Sequence, residues 1–219
     1  MRVSRRAAGI AAGVALAVGA TGAAAPSASA HSHHKKLGTK SLVKVLSADK
    51  SGFDTNSRDF DILTAAVGAV LKAKPKSAVS VLGKGKVALT AFIPNDGAFR
   101  YLVWDLTGKN LNKEADVFAA AATLGIPTLE KVLLYHVVPG ATIDAKAASK
   151  ANQKVLKTAA GLTVKVRVVK GKIYIQDKDS NSKNPQVVLA DINKGNRQIA
   201  HGINRVLRPL DLPPLAKKH

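Results

Sequence analysis

The sequence predicts an α+β fold, with most helices in the first half of the chain and most strands in the second. Two patterns support this prediction. Apolar residues recur every three or four positions between residues 59 and 73, which is typical of an amphipathic helix. Apolar and polar residues alternate between residues 163 and 168, which is typical of a half-buried strand. Because helices and strands do not alternate along the chain, repeated βαβ units are not expected.

The first half is predicted to place several helices around one buried strand. The apolar run of residues 86–93 predicts that strand, and residues 132–138 predict a second one that Pro139 and Gly140 end. The predicted helices cover residues 41–48, 59–74, 96–103 and 114–124, and a further short one opens at Pro127.

The junction after the first strand has a clear local explanation. Pro94 ends the strand, and either Asn95 or Asp96 is placed to cap the helix that follows. Phe99 lies one turn into this helix, so it is expected to anchor the helix in the core.

The second half is predicted to be a series of strands without an internal repeat. Residues 163–168 and 173–175 flank a turn at Lys170 and Gly171, and residues 187–190 and 199–207 predict two further strands. Three prolines, at positions 209, 213 and 214, end the fold.

The first thirty residues have the pattern of a cleaved secretory signal peptide. Arg2, Arg5 and Arg6 precede an apolar run that ends at the cleavage pattern Ala28-Ser29-Ala30. The run is rich in Ala and Gly, so cleavage is favoured over a retained membrane anchor. The arginine pair leaves twin-arginine export open beside the general secretory route. The rest is predicted to comprise a disordered His/Lys-rich tail (31–40), one domain (41–210) and a basic tail (211–219).

The chain is strongly basic, with 34 Lys and Arg against 14 Asp and Glu and a formal charge of +20. Removal of the signal peptide takes away three arginines and no acidic residue, which leaves +17. A positive field of this size attracts anionic polymers, acidic polysaccharides or anionic headgroups. The absence of cysteine excludes disulfides, thiolate metal sites and a cysteine nucleophile.

Two segments contain residues that could bind a metal ion. After cleavage, His33 would be the third residue of the chain, and with His31 and the free amine it could hold Cu(II) or Ni(II) in a square-planar site. Asp177 and Asp179 stand where a calcium loop has its first and third ligands, but Ser182 replaces the required Gly. A polar hairpin loop is the favoured interpretation of this second segment.

Three segments resemble motifs of the fasciclin domain family. Residues 89–99, LTAFIPNDGAF, are similar to its first motif, and residues 133–140, LLYHVVPG, are similar to its central Tyr-His motif. Residues 199–207, which include His201, resemble its closing motif. The resemblance covers about residues 41–210. The chain departs from the closing motif at Gln198, Gly202 and Asn204.

The resemblance implies a β-sandwich core of antiparallel strands with a helical layer packed against it. It also implies an extracellular role in adhesion or matrix binding, without a cofactor. The family motif residues here are Pro94, Asn95, Phe99, Tyr135, His136 and His201. Tyr135 and His136 are expected to be largely structural, because apolar residues surround them in the sequence.

The surface charge gives the candidate binding site. Lys165, Arg167 and Lys172 are predicted to share the outward face of a sheet, where they could bind an anionic extracellular polymer or a surface protein. The sequence argues against nucleic acid, because no aromatic residues are interleaved with the basic ones. None of the common catalytic motifs is present. The prediction is therefore a non-catalytic adhesion module, with an extracellular enzyme, a small-ligand binder on the same scaffold or a Cu/Ni-binding tail as alternatives.

Overall fold

The computed structural model describes residues 36–210. The predicted signal peptide, the first five residues of the predicted N-terminal tail (31–35) and the whole predicted basic tail (211–219) lie outside the described residues. The described helices are α1 (Leu42–Leu46), α2 (Asp61–Ala73), a 3-10 helix (Ala78–Gly83), α3 (Asp96–Thr107), α4 (Glu114–Ala122), α5 (Ile126–Tyr135) and α6 (Ala145–Ser149). The described strands are β1 (Leu89–Pro94), β2 (Val137–Pro139), β3 (Val155–Lys157), β4 (Thr163–Val169), β5 (Lys172–Gln176), β6 (Val187–Ile192) and β7 (Gln198–Ile203). The fold class is α+β, as predicted.

The strands form a four-stranded sheet in the order β2-β1-β7-β6 and a three-stranded sheet in the order β3-β4-β5. The three-stranded sheet is antiparallel throughout. In the larger sheet the central strands β1 and β7 are parallel, which differs from the expected all-antiparallel core. Parallel pairing is possible here because about a hundred residues, including several helices, connect the two strands.

Strand β1 is buried on both faces, which explains its unbroken apolar sequence. Leu89, Ala91 and Ile93 pack with the helices in one core. Phe92 points into a second core, which contains residues from both sheets. The inward residues of the smaller sheet in this core are Leu156, Val164, Val166 and Ile175. The helical layer therefore covers one face of the larger sheet, and the smaller sheet covers the other.

Two sequence predictions need correction. Residues 132–138 are not one strand: α5 continues to Tyr135, and β2 holds only Val137–Pro139. Periodicity cannot separate a buried helix end from a buried strand in so short an apolar run. The predicted disordered tail of residues 31–40 also needs correction at residue 38, which is hydrogen-bonded to the loop before β7. The Gly38 N–H donates to the Gly195 carbonyl at 2.8 Å, and the Arg197 N–H donates to the Gly38 carbonyl at 2.9 Å.

Within residues 36–210, no single helix is both long and apolar enough to cross a membrane, although α4 and α5 together, bent by 105° at their junction, meet the length and composition test.

Candidate functional site

Strands β3, β4 and β5 present one basic face, which we call the basic sheet face and define by Lys157, Lys165, Arg167 and Lys172. The pairing register places Lys165 opposite Gln176, Arg167 opposite Tyr174, and Val169 opposite Lys172. Side chains alternate between the two faces of a sheet, so these residues lie on the side away from Val164, Val166 and Ile175. The structure therefore brings the three predicted residues to one face, and it adds Lys157 from β3.

No acidic residue occupies the outward positions of these strands. The other outward residues on the paired positions are Val155, Thr163, Val169, Tyr174 and Gln176. Lys165 and Arg167 are half-buried, so their aliphatic stems cover the sheet while their charged ends reach solvent. Four positive charges without a neighbouring carboxylate on the same face attract an anion more strongly than paired surface charges do.

A shallow groove of about 430 Å³ runs along one side of the basic sheet face. Its lining combines cations, amides, one aromatic ring and one aliphatic side chain: Arg167, Val169, Tyr174, Gln176, Lys183 and Asn184. Lys183 and Asn184 belong to the loop between β5 and β6, which the sequence did not assign to the site. Such a lining offers both charge and hydrogen-bond donors to an extended anionic chain.

The Tyr-His pair lies in the interior. Tyr135 is fully buried, and its hydroxyl donates to the Thr163 carbonyl at 2.9 Å. The Leu207 N–H donates to Nε2 of His136 at 2.9 Å, so Nδ1 carries the proton and donates to the Val132 carbonyl at 2.7 Å. Burial lowers the pKa of His136 to about 4, which keeps the ring neutral at physiological pH. Both side chains hold α5 against neighbouring elements instead of facing a partner.

His201 is buried in the same way but has the opposite tautomer. The Asp191 N–H donates to its Nδ1 at 3.3 Å, so Nε2 carries the proton and donates to the Ile143 carbonyl at 2.8 Å. Its ring stacks on Phe92, with the centroids 6.0 Å apart. The closing motif thereby fixes the loop after β2 and the irregular strand β6.

The remaining family-motif residues organise the junction between β1 and α3. Asn95 is the cap of α3, because its side chain accepts from the Ala98 N–H at 2.9 Å. Asp96 caps α2 instead, since it accepts from the N–H groups of Asp61 and Ile62 at 3.2 and 3.0 Å. Phe99 is buried in the helical core, as predicted. Pro94 is the last residue of β1 and pairs with Ile203.

The three departures from the closing motif have local structural explanations. Gln198 is fully buried, accepts from the Leu42 N–H at 2.8 Å, and donates to the carbonyls of Val81 and Lys84 at 2.8 and 3.0 Å. A Cβ at Gly202 would lie 3.1 Å from both Leu189 and Phe60. Asn204 accepts from the Gln186 N–H at 2.8 Å. Gln198 and Asn204 thus connect neighbouring segments, and Gly202 allows Leu189 and Phe60 to approach β7 closely.

An acidic cluster forms where the loop before α2 meets α3 and α4. Ligand atoms of Asp54, Asp59, Asp61 and Glu114 all lie within 4.8 Å of one another. Burial raises the pKa of Asp61 to about 6, and burial together with a hydrogen bond to Asp59 raises that of Asp96 to about 8. Protonation of Asp96 at neutral pH therefore relieves part of the repulsion among these carboxylates.

Carboxylates so close together are the ligands that Ca²⁺ and Mg²⁺ prefer. In this structure Glu114 is already bound, because it accepts from the Asp54 N–H at 2.8 Å and from Arg100 at 3.2 Å. This cluster was not predictable from the sequence, since its members are separated by up to 60 residues and meet only in the fold.

Arg208, which follows β7, binds the loop after β5 at the segment that resembles a calcium loop. Arg208 forms ion pairs with Asp105 and with Asp179, the latter at 2.9 Å, and its N–H donates to Asp177 at 2.7 Å. Both loop carboxylates are thus bound to the end of the domain. His31 and His33 lie outside the described residues, so the copper or nickel site stays a prediction.

Comparison with known proteins identifies the family. A sequence model of the family described as Fasciclin domain matches residues 63–209, which is more than half of the chain. A solved FAS1 domain pair from the insect cell adhesion molecule fasciclin I superposes with a TM-score of 0.54 at 16% sequence identity. The alignment covers 78% of this chain and 51% of the insect chain, so this chain spans about half the length of that structure. A search of curated proteins found no match.

Proposed function

The chain belongs to the fasciclin domain family, and from this premise we propose that it is a secreted or cell-surface adhesion module that binds an anionic extracellular polymer. The basic sheet face is the binding surface in this proposal. The partner is an acidic polysaccharide, an anionic wall polymer or an acidic patch of a surface protein. The export signal at residues 1–30 and the charge of the remaining chain both favour this setting.

The observation that carries the proposal is the register of β4 and β5, which aligns Lys165, Arg167 and Lys172 on one face without an acidic neighbour. A polymer with repeated negative charges can bridge several of these cations at once. Each contact is weak by itself, but together they give useful affinity. The groove beside Tyr174 and Lys183 extends the contact along the strands.

A binding role without catalysis is supported by the state of the two described histidines in the motifs. His136 and His201 are buried, and each uses both ring nitrogens in bonds to the backbone. Neither can exchange a proton with a bound ligand while these bonds persist. The fasciclin motifs therefore support the scaffold, and the exposed basic residues supply recognition.

An affinity measurement with matched variants tests the proposal. The mature chain is applied to immobilised dextran sulfate, with uncharged dextran as the reference surface. A variant with Lys165, Arg167 and Lys172 changed to Gln is expected to lose at least about tenfold in affinity for dextran sulfate. The control changes Lys50, Lys76 and Lys131 to Gln, because these lysines are also exposed and their loss lowers the net charge equally.

The control is expected to retain most of the affinity. If both triple variants lose affinity equally, net charge and not this face determines binding. If the mature chain binds dextran as well as dextran sulfate, the electrostatic basis of the proposal is wrong.

A further inference from the structure

The outer face of α3 presents two large aromatic side chains beside each other. Trp104 is the only tryptophan of the chain, and Tyr101 is one of three tyrosines. Both are about half-exposed, at 49% and 48%, and their spacing of three residues places them on one side of the helix. In a chain with only 4% aromatic residues, this is a marked concentration of exposed ring surface.

A pocket of about 460 Å³ opens between α3 and the loops on either side of it. Its lining residues are Ser57, Gly97, Arg100, Tyr101, Trp104 and Asn110. The volume falls in the range of about 300–1,000 Å³ that is usual for small-ligand sites. Gly97 allows one wall to approach closely, because a Cβ there would lie 3.2 Å from the Ser57 carbonyl.

The pocket has one fixed ring and one ring without a described stacking partner. The guanidinium of Arg205 lies 3.9 Å from the centroid of the Tyr101 ring, so a cation–π contact holds this ring in place. Among the ring stacking and cation–π contacts of residues 36–210, none involves Trp104. Arg100 is tied at one end by its ion pair with Glu114.

We propose that this pocket binds a sugar ring of an extracellular glycan, with the ring stacked on Trp104. A pyranose has a face of C–H groups and an edge of hydroxyls. The negative face of an indole ring attracts the polarised C–H groups. Ser57 and Asn110 each offer a donor and an acceptor to the hydroxyls, and Arg100 offers further donors.

The charges of the pocket favour a sugar over two other ligands for an aromatic surface. A quaternary ammonium group binds best to several free aromatic faces, whereas Arg205 already covers Tyr101. A nucleotide phosphate would be repelled by the acidic cluster that contains Glu114, the partner of Arg100. A polar ligand that needs both stacking and hydroxyl recognition fits the lining best.

This site is formed by α3 and its adjoining loops, whereas the basic sheet face is formed by β3, β4 and β5. The proposal therefore does not depend on the adhesion function described above. It also differs from it in chemistry, because stacking and neutral hydrogen bonds are much less sensitive to salt than charge pairing is.

The single tryptophan makes the test direct, since the fluorescence of Trp104 reports on the pocket without a label. The mature chain is titrated with three neutral oligosaccharides, cellohexaose, chitohexaose and xylohexaose, to concentrations well above 1 mM, so that a Kd of about 1 mM can be measured. At least one of the three is expected to give a saturable change in intensity or emission wavelength. The same ligand is then measured by calorimetry with the Trp104→Ala variant, and a loss of at least about tenfold in affinity is expected.

Trp104→Ala is suited to this test because the side chain is half-exposed and alanine favours a helix, so the variant should remain folded. Circular dichroism checks this, and Trp104→Phe should recover part of the affinity. The triple variant of the basic sheet face should bind the same sugar unchanged. The proposal is overturned if none of the three sugars gives a response, or if Trp104→Ala keeps the wild-type affinity. It is also overturned if AMP, titrated in parallel, gives the only response, or if the fluorescence changes only with the concentration of the protein.

Discussion

At the scale of single residues, His136 and His201 show how residues of a family motif can serve the interior of a domain. Each histidine is buried and bridges two backbone groups from separate segments. The bridges require a fixed tautomer for each ring, Nδ1–H for His136 and Nε2–H for His201. Both residues thus hold segments together through neutral hydrogen bonds.

We predict that nitrogen NMR will find His136 as the Nδ1–H tautomer and neutral down to about pH 5. Its pKa is lowered to about 4 because the charged ring would be buried, while the unfolded chain has an ordinary value near 6.5. The neutral, hydrogen-bonded His136 ring therefore stabilises the folded state fully above pH 6.5, and this stabilisation is lost as the pH falls through 4. A charged His136 ring at pH 6 would contradict the structural role.

Asp96 leads to a pH prediction of the opposite sign. The folded pKa of Asp96, about 8, exceeds that of the unfolded carboxyl, so the native state loses stability as the pH rises from 4 through 8. Asp96→Asn cannot ionise, so its stability relative to wild type should increase with pH over this range. The difference should grow by up to about 1.4 kcal/mol per pH unit and reach a few kcal/mol.

Urea unfolding of both proteins at pH 5 and pH 8.5 measures this difference, with Asp116→Asn as the control at an exposed carboxylate. A difference between wild type and Asp96→Asn that is the same at both pH values would show that Asp96 ionises normally. The sequence could not predict this pair, because residues 59 and 96 become neighbours only when the loop before α2 packs on α3.

At the scale of helices and strands, the longest regular patterns were predictable and the shortest elements were not. The periodicity of α2 and the alternation of β4 both gave the observed element, since each repeats over several turns or residue pairs. The helix α6 and the strand β3 have five and three residues, and no period can be recognised over so short a length. Tertiary contacts define them.

The sequence also predicted a cap at the start of α3, and the structure decides which residue provides it. Asn95→Ala removes the acceptor of the Ala98 N–H and should destabilise the domain by about 1 kcal/mol. Asn112→Ala is the matched control, because this asparagine lies in an exposed loop. Thermal unfolding measures both, and an equal effect of the two changes would mean that Asn95 does not cap the helix.

Gln198 connects three elements, so its replacement should destabilise the domain more than the loss of the Asn95 helix cap does. Its side chain joins the start of α1 and the 3-10 helix to β7, and it is fully buried. Gln198→Ala leaves the Leu42 N–H and two carbonyls without this partner, which should lower the free energy of unfolding by about 2–4 kcal/mol. Denaturant unfolding measures this change. A decrease of less than about 1 kcal/mol in the free energy of unfolding would show that water satisfies the backbone groups that the Gln198 amide binds.

At the scale of the whole molecule, the charges are distributed unevenly. Asp54, Asp59, Asp61, Asp96 and Glu114 meet at one corner, although the chain contains only 14 acidic residues. The basic sheet face has no acidic residue at its outward strand positions. Segregation of this kind orients the molecule on an anionic surface, because the two regions experience opposite forces.

The sequence predicted the basic sheet face better than the pocket at α3. The alternation of β4 alone places Lys165 and Arg167 together, and the turn at Lys170 and Gly171 brings Lys172 beside them. The pocket joins residues 57, 97–104 and 110, which come from three segments with no common pattern. Only the exposure of Trp104, which sequence cannot show, identifies it.

The central claim, that the basic sheet face binds an anionic polymer, is tested most directly by the salt dependence of affinity for dextran sulfate. For the mature chain, log K should fall linearly with log salt concentration, as expected when bound counterions are released. The Lys165, Arg167 and Lys172 triple variant should give a slope that is shallower by about 2–3, because each lost contact removes close to one unit. The exposed-lysine control should keep the wild-type slope. Equal slopes for the two variants, or wild-type affinity that does not change with salt, would contradict the claim.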